Sequence, residues 1–275
     1  MLINILTIII DKSFLRVSPY ILFNMILNPL ISTLVMIYFI KKEGKSLMKS
    51  ILISLTIALT VIIGSRIMFV ISANQYFRDF GVNPLALEPR NLTMFGGFIF
   101  TFPMVLIISK LMKIKLWRML DIITPGWSFG IVFNKTGCLL NGCCYGIPTY
   151  SGFGVSYPVG TGPYDNFYKE LFNLVGENGN LAYSLPLYPV QIFESLIGLI
   201  GFIFSVYLLR RRPRDGIVFA SFAMVYSFAR FVLNFFRATP YPMQVVQNYI
   251  PFVYFGVFIV TVFVFLYRTK IIEFQ

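Results

Sequence analysis

The chain has 275 residues, 57% of them hydrophobic, 17% aromatic and only 12% charged, with a mean hydropathy of +0.77. A soluble domain carries about 25% charged residues, so this composition excludes one and requires lipid around the fold. The net charge of +12 then reads as loop lysines and arginines that set topology and meet anionic headgroups, not as a nucleic-acid footprint.

The segment from Met1 to Ile10 lacks the charged start and small-residue cleavage site of a signal peptide and reads as an interfacial lead-in. Beyond it, apolar stretches near the roughly 20 residues needed to cross a bilayer predict seven transmembrane helices, near 19–40, 50–73, 93–110, 119–140, 188–209, 216–236 and 250–268. The predicted fold is all-α and polytopic, a single integral membrane domain over 1–275. Basic residues follow spans one (Lys41, Lys42, Lys45, Lys49), three (Lys110, Lys113, Lys115, Arg118), five (Arg210, Arg211, Arg212, Arg214) and seven (Arg268, Lys270). With seven spans they share one side, which the positive-inside rule makes the cytoplasm. The N-terminus is then outside and the C-terminus cytoplasmic. Segments 74–92 and 141–187 face outward, and 141–187 is expected to form a small extracytoplasmic cap with a short surface helix around Asp165, Lys169, Glu170 and Phe172.

The fourth span ends in Lys135-Thr136-Gly137-Cys138-Leu139-Leu140-Asn141-Gly142-Cys143-Cys144-Tyr145-Gly146, which holds every cysteine of the chain. Glycine permits geometries and close approaches that other residues refuse, and irregular backbone at membrane depth persists only where it is buried or lines a cavity. This stretch therefore reads as a site. Three cysteines, two adjacent, do not make a disulfide framework. Their spacing is unlike common zinc sites, so no metal and no cofactor is expected. As buried thiols they act as small hydrophobes; as thiolates near Lys135 they are nucleophiles. The absence of histidine removes the usual general base.

Ionisable residues within spans mark function by default. Here they are Arg66, Asp121, Lys135, Glu194 and Arg230, with Arg237 at a span end. Asp121 is expected to cap or pair near Arg118, Arg66 and Arg237 to snorkel or bind, and Glu194 to pair with an arginine. Tyr226, Arg230, Asn234 and Arg237 recur at three- and four-residue spacing, which places them on one helical face. Two arginines with few local carboxylates suit a phosphate; an ion pair with Glu194 or Asp121 is the structural alternative. Gly96 and Gly97, at the start of span three, permit tight helix packing.

Five stretches, in order, resemble the prolipoprotein diacylglyceryl transferase family. Gly64-Ser65-Arg66-Ile67-Met68-Phe69-Val70 is similar to Gly-Ala-Arg-Leu-x-Tyr-Val, and Thr93-Met94-Phe95-Gly96-Gly97-Phe98 to Ser-Phe-His-Gly-Gly-Leu. The stretch from Lys135 to Gly146 resembles Arg-x-Gly-Asn-Phe-x-Asn-Gly-Glu-x-Trp/Tyr-Gly. Pro189-Val190-Gln191-Ile192-Phe193-Glu194 resembles Pro-Ser-Gln-Leu-Tyr-Glu, and the run from Tyr226 to Arg237 resembles Tyr-Gly-x-x-Arg-Phe-x-x-Glu-x-x-Arg. The resemblance implies a multi-pass protein of the bacterial cytoplasmic (inner) membrane. It implies transfer of diacylglyceryl from phosphatidylglycerol to the lipobox cysteine thiol of a preprolipoprotein, forming a thioether and releasing glycerol phosphate. Phospholipid and lipobox peptide are then the partners, with no nucleic acid.

On this pattern Lys135, Arg230, Cys138 and Cys143 are the candidate catalytic residues. Arg66, Gly137, Asn141, Gly142, Gly146, Gln191, Glu194, Tyr226, Asn234 and Arg237 are the candidate binding residues. The chain departs from the pattern where Lys135 replaces Arg, Cys138 replaces Asn, Cys143 and Asn234 replace Glu, and Phe95 and Tyr188 replace His. Two alternative readings stand beside the transfer reaction. One is a different phospholipid-dependent transferase using Cys138 or Cys143; the other is a lipid-binding membrane protein without catalysis.

Overall fold

The computed structural model describes residues 19–72, 94–149, 153–175, 182–211, 214–238 and 244–269. The predicted lead-in at Met1 to Ile10, the outward segment 74–92 and the side chain of Phe95 lie outside the described residues. Eight helices are present among those described: α1 (Ile21–Lys42), α2 (Leu47–Ser72), α3 (Met94–Leu111), α4 (Leu116–Asn141), α5 (Gly162–Val175), α6 (Val190–Arg211), α7 (Ile217–Asn234) and α8 (Gln244–Arg268). Seven of them fall where apolar runs predict spans; α5 is the helix expected in 141–187. Five of the seven, α1, α2, α6, α7 and α8, are long and apolar enough to cross a membrane. In α3 the run Gly96–Leu111 is apolar but shorter. Helix α4 is 26 residues long and its buried face includes Asp121 and Lys135.

Large apolar side chains such as Leu34, Leu59, Ile203, Phe252 and Val260 point outward and are exposed. In water this would be a liability; around a bundle it is the surface lipid covers. The interior contacts rely on small residues, as expected where no hydrophobic force draws helices together. Helix α1 seats Asn24, Asn28 and Ser32 against Gly137, Gly130 and Gly126 of α4. A methyl group at Gly137 would fall 2.6 Å from Asn24 Oδ1, and one at Gly126 would fall 2.8 Å from the Ser32 carbonyl. Gly96 of α3 packs on Gly64 and Met68 of α2, and a methyl at Gly97 would lie 2.9 Å from Ser65 Oγ. The packing expected of Gly96 and Gly97 is thus observed.

One end of the bundle gathers the basic loops. Lys45 Nζ donates to the Met112 carbonyl at 2.9 Å, Arg118 pairs with Glu43, and Arg268 Nε donates to the Asp215 carbonyl at 2.5 Å while lying 5.5 Å from the Trp117 ring centre. Below them an apolar core includes Ile40, Ile57, Val105, Met119, Ile123 and Val218. Asp121 is fully buried at this end and acts as a cap supplied from another helix. Its carboxylate accepts the backbone N–H of Gly216 at 2.6 Å and of Phe219 at 2.9 Å, satisfying orphan donors at the start of α7. Of the two roles expected for Asp121 near Arg118, capping is the one that forms, while Arg118 pairs with Glu43.

The opposite end carries the cap. Isolated bridges join Pro148 and Val155 to Leu187, Pro158 to Tyr183, and Gly146 to Arg237. Tyr145, Val155, Tyr157, Tyr164, Leu171 and Leu187 form its own apolar core under α5. Gly146 is squeezed between the Tyr188 and Phe236 carbonyls, and its N–H donates to Tyr188 at 3.1 Å.

Candidate functional site

Helix α4 stops where the chain needs a left-handed residue. Gly142 has φ +66°, and its N–H and that of Cys143 close back on the Cys138 carbonyl, the latter at 3.0 Å. This is the αL end that glycine supplies at low cost. Cys144 follows, also left-handed at φ 58° and the rarer for carrying a side chain. The two left-handed turns fold the chain back, so that the sulfurs of Cys138, Cys143 and Cys144 lie within 4.8 Å of one another. All three thiols are free. Asn24, in a π-helical first turn of α1 (Ile21–Leu27), points its amide at Cys138 Sγ, 3.8 Å away. Gln191 Nε2 donates to the Cys143 carbonyl at 2.8 Å and to the Tyr157 hydroxyl at 3.1 Å, fixing the turn to α6 and the cap.

Beside the thiols stands a buried charge cluster. Glu194 of α6 is fully buried and faces two cations: Lys135 of α4, with Nζ 2.7 Å from Oε2, and Arg230 of α7 on Oε1. The Arg230 guanidinium lies 5.0 Å from the Tyr254 ring centre on α8, a cation–π contact. The ion pair foreseen as the alternative for Arg230 therefore forms. Lys135 shares the same carboxylate, and with Arg237 close by the described residues bring three cations against one anion. The excess of two positive charges is available to a ligand. Arg230 Nε, Arg237 Nε, Asn234 Oδ1, Gln191 Oε1 and Asn24 Oδ1 are buried and have no hydrogen-bond partner among the described residues. Buried polar atoms left this way are costly, and three of these residues open on one cavity.

That cavity has a volume of about 550 Å³. One end holds Lys135, Arg230, Arg237 and the three cysteines; the rest runs between α1, α2, α3 and α4 past Met36, Ile57, Val61, Met68, Phe98 and Trp127. It is an apolar channel ending in positive charge and thiols, a shape and polarity suited to an amphiphile with an anionic head.

The predicted residues divide clearly. Lys135, Cys138, Cys143, Arg230 and Arg237 line the cavity, and Glu194 organises its charged end. Tyr226 and Asn234 lie buried on the Arg230 face, Tyr226 stacked on Phe222 at 5.6 Å. Arg237 is not on that helical face, since α7 ends at Asn234 and Arg237 sits in the bridge to Gly146. Gly137, Gly142 and Gly146 act through packing and turn geometry. Arg66 lies over the Phe69 ring at 5.8 Å, and neither Arg66 nor Asn141 lines the cavity, although Ser65 and Phe69 do. Asn24, Asn28, Asn134, Cys144 and Tyr254 also line it. The four-residue spacing of Asn24, Asn28 and Ser32 within an apolar run is the signal that would have found the first two. In the cap, burial pushes the Tyr145 phenol up to about 12 and raises Tyr157 further, so both remain neutral, Tyr145 donating to the Gly162 carbonyl and Tyr157 accepting from Gln191.

The family model described as prolipoprotein diacylglyceryl transferase matches residues 8–267. A phosphatidylglycerol–prolipoprotein diacylglyceryl transferase of Dehalococcoides mccartyi is 31% identical over 179 residues, covering 64% of this chain and 60% of the relative. One from Clostridium perfringens is 25% identical over 187 residues, covering 65% and 63%. One from Rhodopirellula baltica is 36% identical over 109 residues, covering 36% and 22%. The chain thus spans less than two thirds of the length of these relatives. With the family match running from residue 8 to residue 267, the chain belongs to the prolipoprotein diacylglyceryl transferase family.

Proposed function

We propose that this chain transfers the diacylglyceryl group of phosphatidylglycerol to the lipobox cysteine thiol of a preprolipoprotein. The observation that carries the reading is the cavity, apolar along α1–α4 and ending at Lys135, Arg230 and Arg237. Acyl chains suit the apolar length and a phosphodiester suits the two unbalanced positive charges. In the reaction the sulfur attacks the glyceryl carbon, the carbon–oxygen bond to phosphate breaks, and glycerol phosphate leaves with an added negative charge. Preorganised cations at the point where charge develops stabilise that step most. Arg230 is held by Glu194 and Tyr254, so its guanidinium is positioned before lipid arrives. Lys135 and Arg237 would contact the phosphate, and Asn234 and Gln191 would support the headgroup end.

Seven membrane crossings with the N-terminus outside and the C-terminus cytoplasmic fit this scheme. Its support is the gathering of Lys45, Arg118 and Arg268 at one end of the bundle and of the cap at the other. The thiols then open toward the outer side of a bacterial inner membrane, where a translocated peptide presents its cysteine. The test is purified protein with labelled phosphatidylglycerol and a lipobox peptide. Label is expected on the peptide cysteine with phosphatidylglycerol and not with phosphatidylethanolamine, whose headgroup adds a positive charge. No labelled peptide with either lipid, from folded protein, overturns the reading.

A further inference from the structure

The chain has no histidine, and Cys138 and Cys143 stand where the family pattern places Asn and Glu. These cysteines converge with Cys144 at the charged end of the cavity. We propose that Cys138, Cys143 and Cys144 form a three-thiolate site for a soft divalent cation, with zinc as the preferred ion, open on its fourth side to the cavity. A zinc–sulfur distance of about 2.3 Å with tetrahedral angles sets sulfurs ~3.8 Å apart. The three sulfurs already lie within 4.8 Å, so closing on an ion needs them to draw in by under about 1 Å.

Three further observations point to the same site. Adjacent residues in extended chain send their side chains to opposite sides, yet the left-handed backbone at Gly142 and Cys144 turns the sulfurs of Cys143 and Cys144 toward Cys138. The Asn24 amide aims at Cys138 Sγ from a different helix, the kind of outer contact that orients a ligand. Charge also agrees. Three thiolates and a dication sum to one negative charge, beside the excess of positive charge from Lys135, Arg230 and Arg237 over Glu194. Spacing along the chain argues against zinc; the folded arrangement supplies what the spacing hides.

Three protein ligands with one open position is the arrangement of a working metal rather than a structural one. The following step rests on the transferase reading above. The acceptor thiol takes the fourth position and gives its proton to solvent, since a metal-bound thiol is deprotonated outright. Its sulfur then forms the bond to the glyceryl carbon as the carbon–oxygen bond breaks. The electron pair leaves on the phosphate oxygen, and glycerol phosphate departs against the cationic side chains. The metal would thus do the work of the histidine base that the chain lacks.

The experiment uses the full chain in detergent under reducing conditions, titrated with zinc chloride and separately with cobalt(II). About one equivalent of zinc per chain, protection of the three thiols from a maleimide, and a sulfur-to-cobalt charge-transfer band are expected. Cys143→Ser and Cys144→Ser should each lose the cobalt band; the protection measurement on unaltered protein needs no variant to fold. No stoichiometric zinc and full maleimide labelling in its presence would overturn the site. Equal, measurable transfer in zinc-loaded and chelator-treated protein would overturn the acceptor-thiol role. Zinc bound with the expected band but no transfer in either state would uphold the site and sink the transferase reading alone.

Discussion

Glu194 on α6 and Lys135 on α4 meet at 2.7 Å with the carboxylate fully buried, and the other oxygen of Glu194 takes Arg230 of α7. One carboxylate thereby joins three helices. Removing it leaves two buried cations facing each other, and breaking a buried pair by deleting one partner typically costs ~3–5 kcal/mol. Glu194→Gln, which keeps the shape, should lower the thermal unfolding temperature in detergent. It should also gain more stability from added phosphatidylglycerol than the unaltered protein does, because an anionic headgroup supplies the missing charge. Equal stabilisation of both proteins by the lipid would disconnect Glu194 from the anion site.

Asp121 offers a contrast, since its charge serves the backbone and lies at the far end from the thiols. Its oxygens hold the N–H groups of Gly216 and Phe219 at the start of α7. Losing such a cap costs about 0.5–2 kcal/mol. Asp121→Ala should unfold at lower temperature while turnover per folded molecule stays unchanged. A turnover loss at full folding would show that the cap also positions Arg230 further along α7.

The helices were legible because lipid solvation imposes length and apolarity on a crossing helix; seven helices follow the seven apolar runs, and five of them are long and apolar enough to cross a membrane. Basic loop residues were equally readable, and Lys45, Arg118 and Arg268 do converge at one end. The site was legible in part. The three- and four-residue spacing of Tyr226, Arg230 and Asn234 placed them on one buried face, but helical periodicity cannot foresee where a helix stops, and Arg237 lies past the end of α7. The choice of Lys135 as second partner for Glu194 depends on how α4 and α6 pack, which local sequence does not encode. The convergence of the thiols was hidden for a similar reason. It needs two left-handed residues on either side of Cys143, and one of them is Cys144, not a glycine.

The contact of α2 with α3 depends on the absence of side chains. A methyl at Gly96 would collide with Met68 and with the Gly64 carbonyl, and one at Gly64 would reach within 2.8 Å of the Gly96 carbonyl. Overpacking of this kind typically costs about 1–3 kcal/mol. Gly96→Leu is expected to separate the two helices, lowering the unfolding temperature and widening the cavity wall formed by Gly97 and Phe98. Thermal unfolding and lipid retention after purification would both register the change; unaltered values for both would exclude tight packing here.

The cap carries a pH dependence whose sign follows from Tyr145. Burial holds its phenol neutral up to about 12, whereas an exposed tyrosine in unfolded chain ionises near 10. The folded state therefore binds this proton more tightly. Its contribution is complete below about 10 and is lost as pH rises toward 12. Stability should fall across that alkaline window, with phenolate absorbance tracking the loosening of the cap. Tyr145→Phe keeps the ring against Phe167 and gives up only a 3.4 Å bond to the Gly162 carbonyl. It should shrink the alkaline loss without changing stability near neutral pH.

The charged end of the cavity makes the most direct prediction for transfer. Lys135, Arg230 and Arg237 line it, while Arg66 lies outside over Phe69. Removing a donor aimed at developing charge costs about 10²- to 10³-fold in rate, so Arg230→Ala and Lys135→Ala should each lose that much kcat. Arg237→Ala should weaken lipid binding more than it slows the chemical step, because this residue sits on the cap side and lacks the Glu194 contact that fixes Arg230. Arg66→Ala should remain near the unaltered rate. Steady-state transfer with labelled phosphatidylglycerol separates these effects into kcat and KM. Full activity in Arg230→Ala, or a loss in Arg66→Ala as large as in Lys135→Ala, would move the phosphate away from the buried cluster around Glu194.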